Sequence, residues 1–245
     1  MNLMQVMTYT LAVVWLSIPS LDAGKTSNKP GKHLFILSGQ SNMVGMDEAI
    51  SFTPAVAKAF GEDQILVVKN ANSGQSIRSW AKTNHEFPPP TRGRVPKVRG
   101  ELYAPLINKV KAATERQSLK TVTLVWMQGE SDLNNTAYSA YLKELLEQLR
   151  GDLAFREINI VIGRISDHGL DREKRLEGRK NIRRTQVEFA ESNPRAAWVD
   201  TDDLNDRVQD DEIVNDLHYT PAGSKMLGER FAKQAITLIN RTNHR

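Results

Sequence analysis

Apolar residues fall along this chain in short unbroken runs, separated by stretches in which they recur every third or fourth position. Leu34-Phe35-Ile36-Leu37, inside 33–38 and closed by Gly39, is the first such run; 65–68, 122–127 and 158–165 repeat it, with a shorter one at 197–199. A run of this length without polar alternation predicts a strand covered on both faces. Segments 102–113, 138–149, 172–191 and 221–239 carry the spacing of amphipathic helices. Strands alternating with helices predict an α/β layered fold around a mainly parallel sheet, whose ligands gather beyond the carboxyl ends of the strands. The stretch 87–100, with Pro88, Pro89 and Pro90 in succession, predicts a loop that reads equally as a cleft wall or a surface excursion.

Composition narrows the class. A chain of 245 residues with 40% hydrophobic and 25% charged residues builds a substantial core, most simply as one domain, and is not a disordered chain. The net charge of +4 arises from interspersed signs. Only Arg92, Arg94, Lys97 and Arg99 form a local basic cluster, which reads as a solvated face, so no nucleic-acid partner is expected. The absence of cysteine excludes disulfides, a thiol nucleophile and thiolate metal sites.

Near the amino terminus, 4–16 is predominantly apolar and is followed by the small residues Ser20 and Ala23. That pattern predicts a secretory signal at 1–23, then a polar linker at 24–32 and a folded domain at 33–245, with a secreted or periplasmic destination. The competing reading is an apolar extension of a cytosolic protein. The run falls short of the ~20 residues a membrane span needs, and no membrane-spanning segment is expected.

Four clusters carry candidate chemistry. Gly39-Gln40-Ser41-Asn42-Met43 follows the first strand, where Ser41 is placed either as a nucleophile or as a helix cap. Among five histidines, His218 alone has suggestive neighbours, in Asn215-Asp216-Leu217-His218-Tyr219 just before the last helix. A nearby carboxylate such as Asp216 fixes the imidazole tautomer and steadies the imidazolium; the same pair also fits an ordinary surface loop. Trp126-Met127-Gln128-Gly129-Glu130-Ser131-Asp132 follows another strand, where Gln128 has an amide to offer an oxyanion and Glu130 or Asp132 a carboxylate to orient neighbours. A helix-start cluster is the alternative. Gly74, in Asn70-Ala71-Asn72-Ser73-Gly74, lies in a turn after a third strand. A parallel sheet gathers all four on one edge, which favours a hydrolase, and no phosphate-binding Gly-rich loop of the Gly-x-x-x-x-Gly-Lys-Ser type is present.

At these residues the chain resembles the SGNH hydrolase superfamily, and within it the sialate O-acetylesterase-like branch that includes carbohydrate esterase family six. The resemblance rests on Phe35 to Met43, Trp126 to Asp132, and Asp216-Leu217-His218 with Tyr219 and Gly223, and it covers 33–239. It implies a three-layer α/β/α sandwich of SGNH or flavodoxin-like type and a cofactor- and metal-independent serine esterase acting on O-acetylated carbohydrate. Ser41 would be the nucleophile, His218 the base and Asp216 its orienting acid. The Ser41 and Gly74 amides and the Gln128 side chain would form the oxyanion hole. Many superfamily members place Asp three residues before the histidine; here that position is Asn215, which leaves Asp216 as the acid and Glu130 as a reserve carboxylate. Two other readings compete: an SGNH esterase or lipase acting on short acyl or lipid esters, and a carbohydrate-binding protein without catalysis. Trp80 and the 88–99 loop are the places where substrate contacts are expected, or else packing.

Overall fold

The computed structural model describes residues 31–82 and 98–243. The signal and most of the linker read at 1–32, most of the proline loop, and Arg92, Arg94 and Lys97 lie outside the described residues. Five parallel strands form the central sheet: β1 (Lys32–Gly39), β2 (Ile65–Ala71), β3 (Leu119–Met127), β4 (Ile158–Gly163) and β5 (Ala196–Val199). Their order is β2-β1-β3-β4-β5. Leu34 to Leu37 in β1, Val122 and Leu124 to Met127 in β3, and the apolar residues of β4 are buried, as expected of strands covered on both faces.

Six α-helices among the described residues supply the cover: α1 (Ser41–Gly45), α2 (Phe52–Phe60), α3 (Tyr103–Thr114), α4 (Tyr138–Leu153), α5 (Glu173–Glu191) and α6 (Pro221–Asn243). α2 and α6 pack together on one face, while α3, α4 and α5 pack side by side on the other. The result is the three-layer α/β/α sandwich. On the α2 face, Phe35 meets Phe52 edge to face at 5.3 Å. On the α4 face, Trp126 meets Trp80 at 5.2 Å and donates its Nε1–H to Tyr138 Oη at 3.1 Å. Trp80 is wholly buried in this contact, so of its two expected roles it fills packing.

The four long helices and five strands stand where the apolar pattern predicts them, within a few residues. The β4 run is shorter than the apolar stretch 158–165: the strand ends at Gly163, where a Cβ would come within 2.3 Å of Met127 Sδ. Two features escaped the pattern. One is α2, with Pro54 in its first turn, a position where the missing N–H costs nothing. The other is the hairpin of β6 (Asp206–Gln209) and β7 (Glu212–Asn215), turned by Asp210 and Asp211 at φ of 51° and 61°. Most of its residues are exposed, so it carries no periodic apolar signal. No helix among the described residues is long and apolar enough to cross a membrane.

Candidate active site

The strand order reverses direction between β1 and β3, and in a sheet of this order that switch point opens a crevice at the carboxyl ends. Gly39 closes β1 there with φ of +142°, and a Cβ on it would lie 2.0 Å from the Met127 carbonyl oxygen. Only glycine lets the two strand ends come so close. The Gln40 amide then donates to Met127 O at 2.8 Å, and the chain turns directly into α1, leaving Ser41 partly exposed at the turn.

Asn42, buried beside Ser41, joins this turn to the histidine segment. Its Nδ2 donates to Glu130 Oε1 at 3.0 Å and to the Leu217 carbonyl at 3.2 Å, while its Oδ1 accepts from the Tyr219 amide at 3.3 Å. Leu217 and Tyr219 flank His218, so one amide side chain grips the backbone on both sides of the exposed histidine and holds its loop against the serine turn. Gly223, in the first turn of α6, lets that helix close on the segment between β5 and β6: a Cβ there would meet the Leu204 carbonyl at 2.0 Å.

The carboxylates divide between two roles. Asp216 accepts from its neighbour's amide, Leu217 N, at 2.5 Å and pairs with Arg207 on β6, which ties the hairpin to the loop rather than to the imidazole. Glu130 is held by Asn42, and its other oxygen, Oε2, is buried without a hydrogen-bond partner. Burial raises its pKa, opposed by its own backbone amide, the buried Arg179, the Asn42 bond and the nearby His218.

Gln128 is wholly buried, and its Nε2 faces three acceptors: Asp132 Oδ2 at 2.6 Å, the Gln75 carbonyl at 3.0 Å and Gln40 Oε1 at 3.2 Å. Three acceptors around one end of the amide fix that end as nitrogen. Asp132 in turn takes Ser76 Oγ, the Ile77 amide and Asn135 Nδ2, each at 2.8 Å, so four donors converge on its buried carboxylate. This knot binds the loop carrying Gly74 to the loop after β3. Gly74 has φ of +70° with open space around it, and its loop is tied back by Asn72 N to Gly39 O at 2.9 Å.

The structure therefore brings Ser41, the His218 loop, Glu130, Gln128 and the Gly74 loop to one edge of the sheet, and turns Asp216 toward Arg207. Asn42 and Gln40 join the segments of this edge, and residue reading passed over them. Both stand inside the Gly39–Met43 cluster, but nothing in sequence shows that they bridge to residues 88 or more positions away. Among the described residues no group of three or more His, Asp or Glu side chains is arranged to hold a metal ion.

The parallel α/β/α sandwich, with a glycine-made serine turn at the β1/β3 switch point, is the fold that the resemblance to the SGNH hydrolases implies. The family itself follows from sequence comparison. The family described as carbohydrate esterase, sialic acid-specific acetylesterase matches residues 44–237, most of the chain, and the protein belongs to it as a carboxylic ester hydrolase. Solved structures share the fold. A protein from Arabidopsis thaliana aligns with a TM-score of 0.61 and 20% identity, over 85% of this chain and 99% of its own. NanS aligns at 0.58 and 12% identity, over 88% and 99%. A carbohydrate acetylesterase from Xanthomonas citri aligns at 0.59 and 14% identity over 85% of this chain, which spans 57% of that longer protein. No curated protein matches the sequence.

Proposed function

We propose that the protein removes O-acetyl groups from carbohydrates, such as acetylated xylan fragments, sialic acid or related sugars, through a serine–histidine–carboxylate mechanism. The observation that carries this reading is the Asn42 clamp, which holds the His218 backbone beside the Ser41 turn at the sheet's switch point. Ser41 Oγ attacks the acetyl carbonyl carbon while His218 takes the hydroxyl proton. The tetrahedral intermediate expels the sugar oxygen, which receives that proton from His218 and leaves as a hydroxyl. Water, deprotonated by His218, then attacks acetyl-Ser41 and releases acetate with the serine restored.

For the oxyanion, the Ser41 and Gly74 amides serve together with a glutamine amide. Gln128 is the glutamine the resemblance implies, but its nitrogen is already held by three acceptors. We therefore assign the donor to Gln40, whose Oε1 is fixed by Gln128 and whose Nε2 end is the one left over. For the acid that supports His218, Glu130 is favoured over Asp216: it lies within electrostatic reach of His218 and is held by the same Asn42, whereas the Asp216 carboxylate accepts from the Leu217 amide.

The test is acetate release from 4-nitrophenyl acetate and acetylated xylo-oligosaccharides by the wild type beside Ser41→Ala and His218→Ala. Each variant is expected to lose about 10³-fold or more in kcat while remaining folded. A wild type inert on every ester, or full activity in Ser41→Ala, overturns the assignment; activity confined to long acyl chains overturns the carbohydrate reading. Export is proposed on the apolar stretch 4–16 and is checked by sequencing the amino terminus of protein recovered from outside the cytoplasm.

A further inference from the structure

We propose that the far edge of the sheet, at Trp198, carries a second carbohydrate site that holds a neutral pyranose unit of a glycan chain apart from Ser41. The proposal rests on the reading of the substrate as carbohydrate and specifies it as a chain rather than a single sugar.

β5 is an edge strand, paired on one side by β4 and open on the other. Its Trp198 is the only tryptophan among the described residues that is not wholly buried; Trp80 and Trp126 are inaccessible. Two cavities meet at this ring. One of about 730 Å³ is lined by Trp198, Asp200, Asp203, Arg230, Lys233 and other residues, and one of about 360 Å³ continues along α6 to Arg241. Trp198 and Gln234 belong to both, so they form a ridge between two basins of one groove. From Gln234 to Arg241 the helix rises about 10 Å, which makes the groove longer than a single sugar ring.

The ring is held in place before any ligand arrives. The Arg164 guanidinium lies over one face of it at 5.0 Å from the centroid, and the indole Nε1–H donates to Glu191 at 3.3 Å. Arg164 is itself anchored to Asp200 and Asp202, and Asp202 is also held by both terminal nitrogens of Arg183 at 2.7 Å. A fixed aromatic surface loses little entropy on binding, which is the condition for a useful contact in an open groove.

Most of the charges around it are paired. Asp203 takes two hydrogen bonds from Arg230, at 2.6 and 2.7 Å, which lowers the acid's pKa and raises the arginine's. Paired carboxylates and guanidiniums offer no net charge to an ionic ligand, yet each carboxylate oxygen keeps a lone pair for a hydroxyl, and Gln234 adds an amide. An apolar ring bordered by neutral-sum hydrogen-bonding groups suits a molecule with a flat C–H face and a rim of hydroxyls. A neutral pyranose has that form, whereas a lipid lacks the rim, and beside Lys233 and Arg241 a polyanion would find only cations already held by carboxylates.

One end of the groove lies at the serine's end of the sheet. Asp200 to Asp203 follow the carboxyl end of β5, on the same end of the sheet as Ser41, and β5 is separated from β1 by three strand spacings, about 14 Å. A glycan gripped at Trp198 keeps its acetylated units near the serine after one ester has been cleaved.

The experiment titrates the Ser41→Ala protein with unsubstituted xylo-, cello- and manno-oligosaccharides, following tryptophan emission and heat of binding. Saturable binding to at least one is expected, weakened about tenfold or more by Trp198→Ala and largely kept by Trp198→Phe, which retains a stacking ring. Gln234→Trp, which fills the groove from α6 without emptying the sheet, is expected to weaken it as well, with circular dichroism confirming the fold of each variant. In active enzyme, Trp198→Ala is expected to lower kcat/KM on acetylated polysaccharide by about tenfold and to leave 4-nitrophenyl acetate unaffected. Failure to bind any neutral glycan, or unchanged binding in folded Trp198→Ala and Gln234→Trp, overturns the site. A protein that hydrolyses no ester but loses glycan binding with Trp198→Ala disproves the catalytic reading and leaves this site standing.

Discussion

Asn42 concentrates the geometry of the proposed site in one side chain. Because it holds the backbone on both sides of His218, Asn42→Ala frees the proposed base without removing it. The expected result is a fall in kcat of about 10- to 100-fold with KM little changed, read from steady-state kinetics on 4-nitrophenyl acetate, because positioning acts on the transition state more than on substrate binding. Gln40→Ala tests the other assignment. If Gln40 donates to the oxyanion, its loss costs about 10²–10³ in kcat, and Glu130→Gln and Asp216→Asn, compared side by side, show which carboxylate supports His218. A larger loss for Asp216→Asn would return that role to Asp216. At this scale the sequence was informative about Ser41 and His218, which sit in recognisable clusters, and silent about Asn42 and Gln40. Their partners lie 88 to 177 positions away, and hydrogen bonds between such residues leave no local pattern.

At the scale of elements, β1 begins with a buried histidine that the catalytic reading does not use. His33 stacks on Phe60 of α2 at 4.2 Å, and its Nδ1 lies 2.8 Å from Thr121 Oγ1 on β3. Burial first, and the Lys120 charge second, pull its pKa from 6.5 down to about 4. Between those values the unfolded chain binds a proton that the folded one refuses, so stability rises with pH across the window. The contribution is complete above pH 6.5 and is lost as the pH falls to about 4. Denaturant unfolding across this range should show that slope, and His33→Leu should flatten it. A second element test concerns the loops after β2 and β3, which share the Asp132 carboxylate. Asp132→Ala strands three buried donors, Gln128 keeping its other acceptors, and is expected to cost about 3 kcal/mol or more in unfolding free energy, together with activity, measured by thermal melts and ester hydrolysis. The apolar runs made the strands and long helices readable from sequence. The β6–β7 hairpin stayed hidden because its strands bury almost nothing, and α2 because its first turn contains a proline that usually signals a break.

For the molecule as a whole, the sheet order decides what the separate motifs become. Placing β1 beside β3 aligns Gly39 with Met127, and from that register follow the serine turn, the approach of Gln128 to Gln40 and the reach of Asn42 to the histidine loop. Gly39→Ala tests this dependence: a methyl at 2.0 Å from the Met127 carbonyl must push the two strand ends apart. Loss of folded yield or of several kcal/mol in stability is the expected outcome, measured by expression and denaturant titration, because strain at a positive φ adds to the collision. The sequence by itself determined the layered α/β class and the succession of elements and singled out Ser41 and His218 as candidates, since hydrophobic period and short motifs are local properties of the chain. Only the tertiary structure decided which carboxylate stands near His218, which glutamine keeps a free amide end and which tryptophan is left partly exposed. Each of those depends on contacts between segments far apart in sequence, and burial and hydrogen-bond saturation are settled only when the layers close.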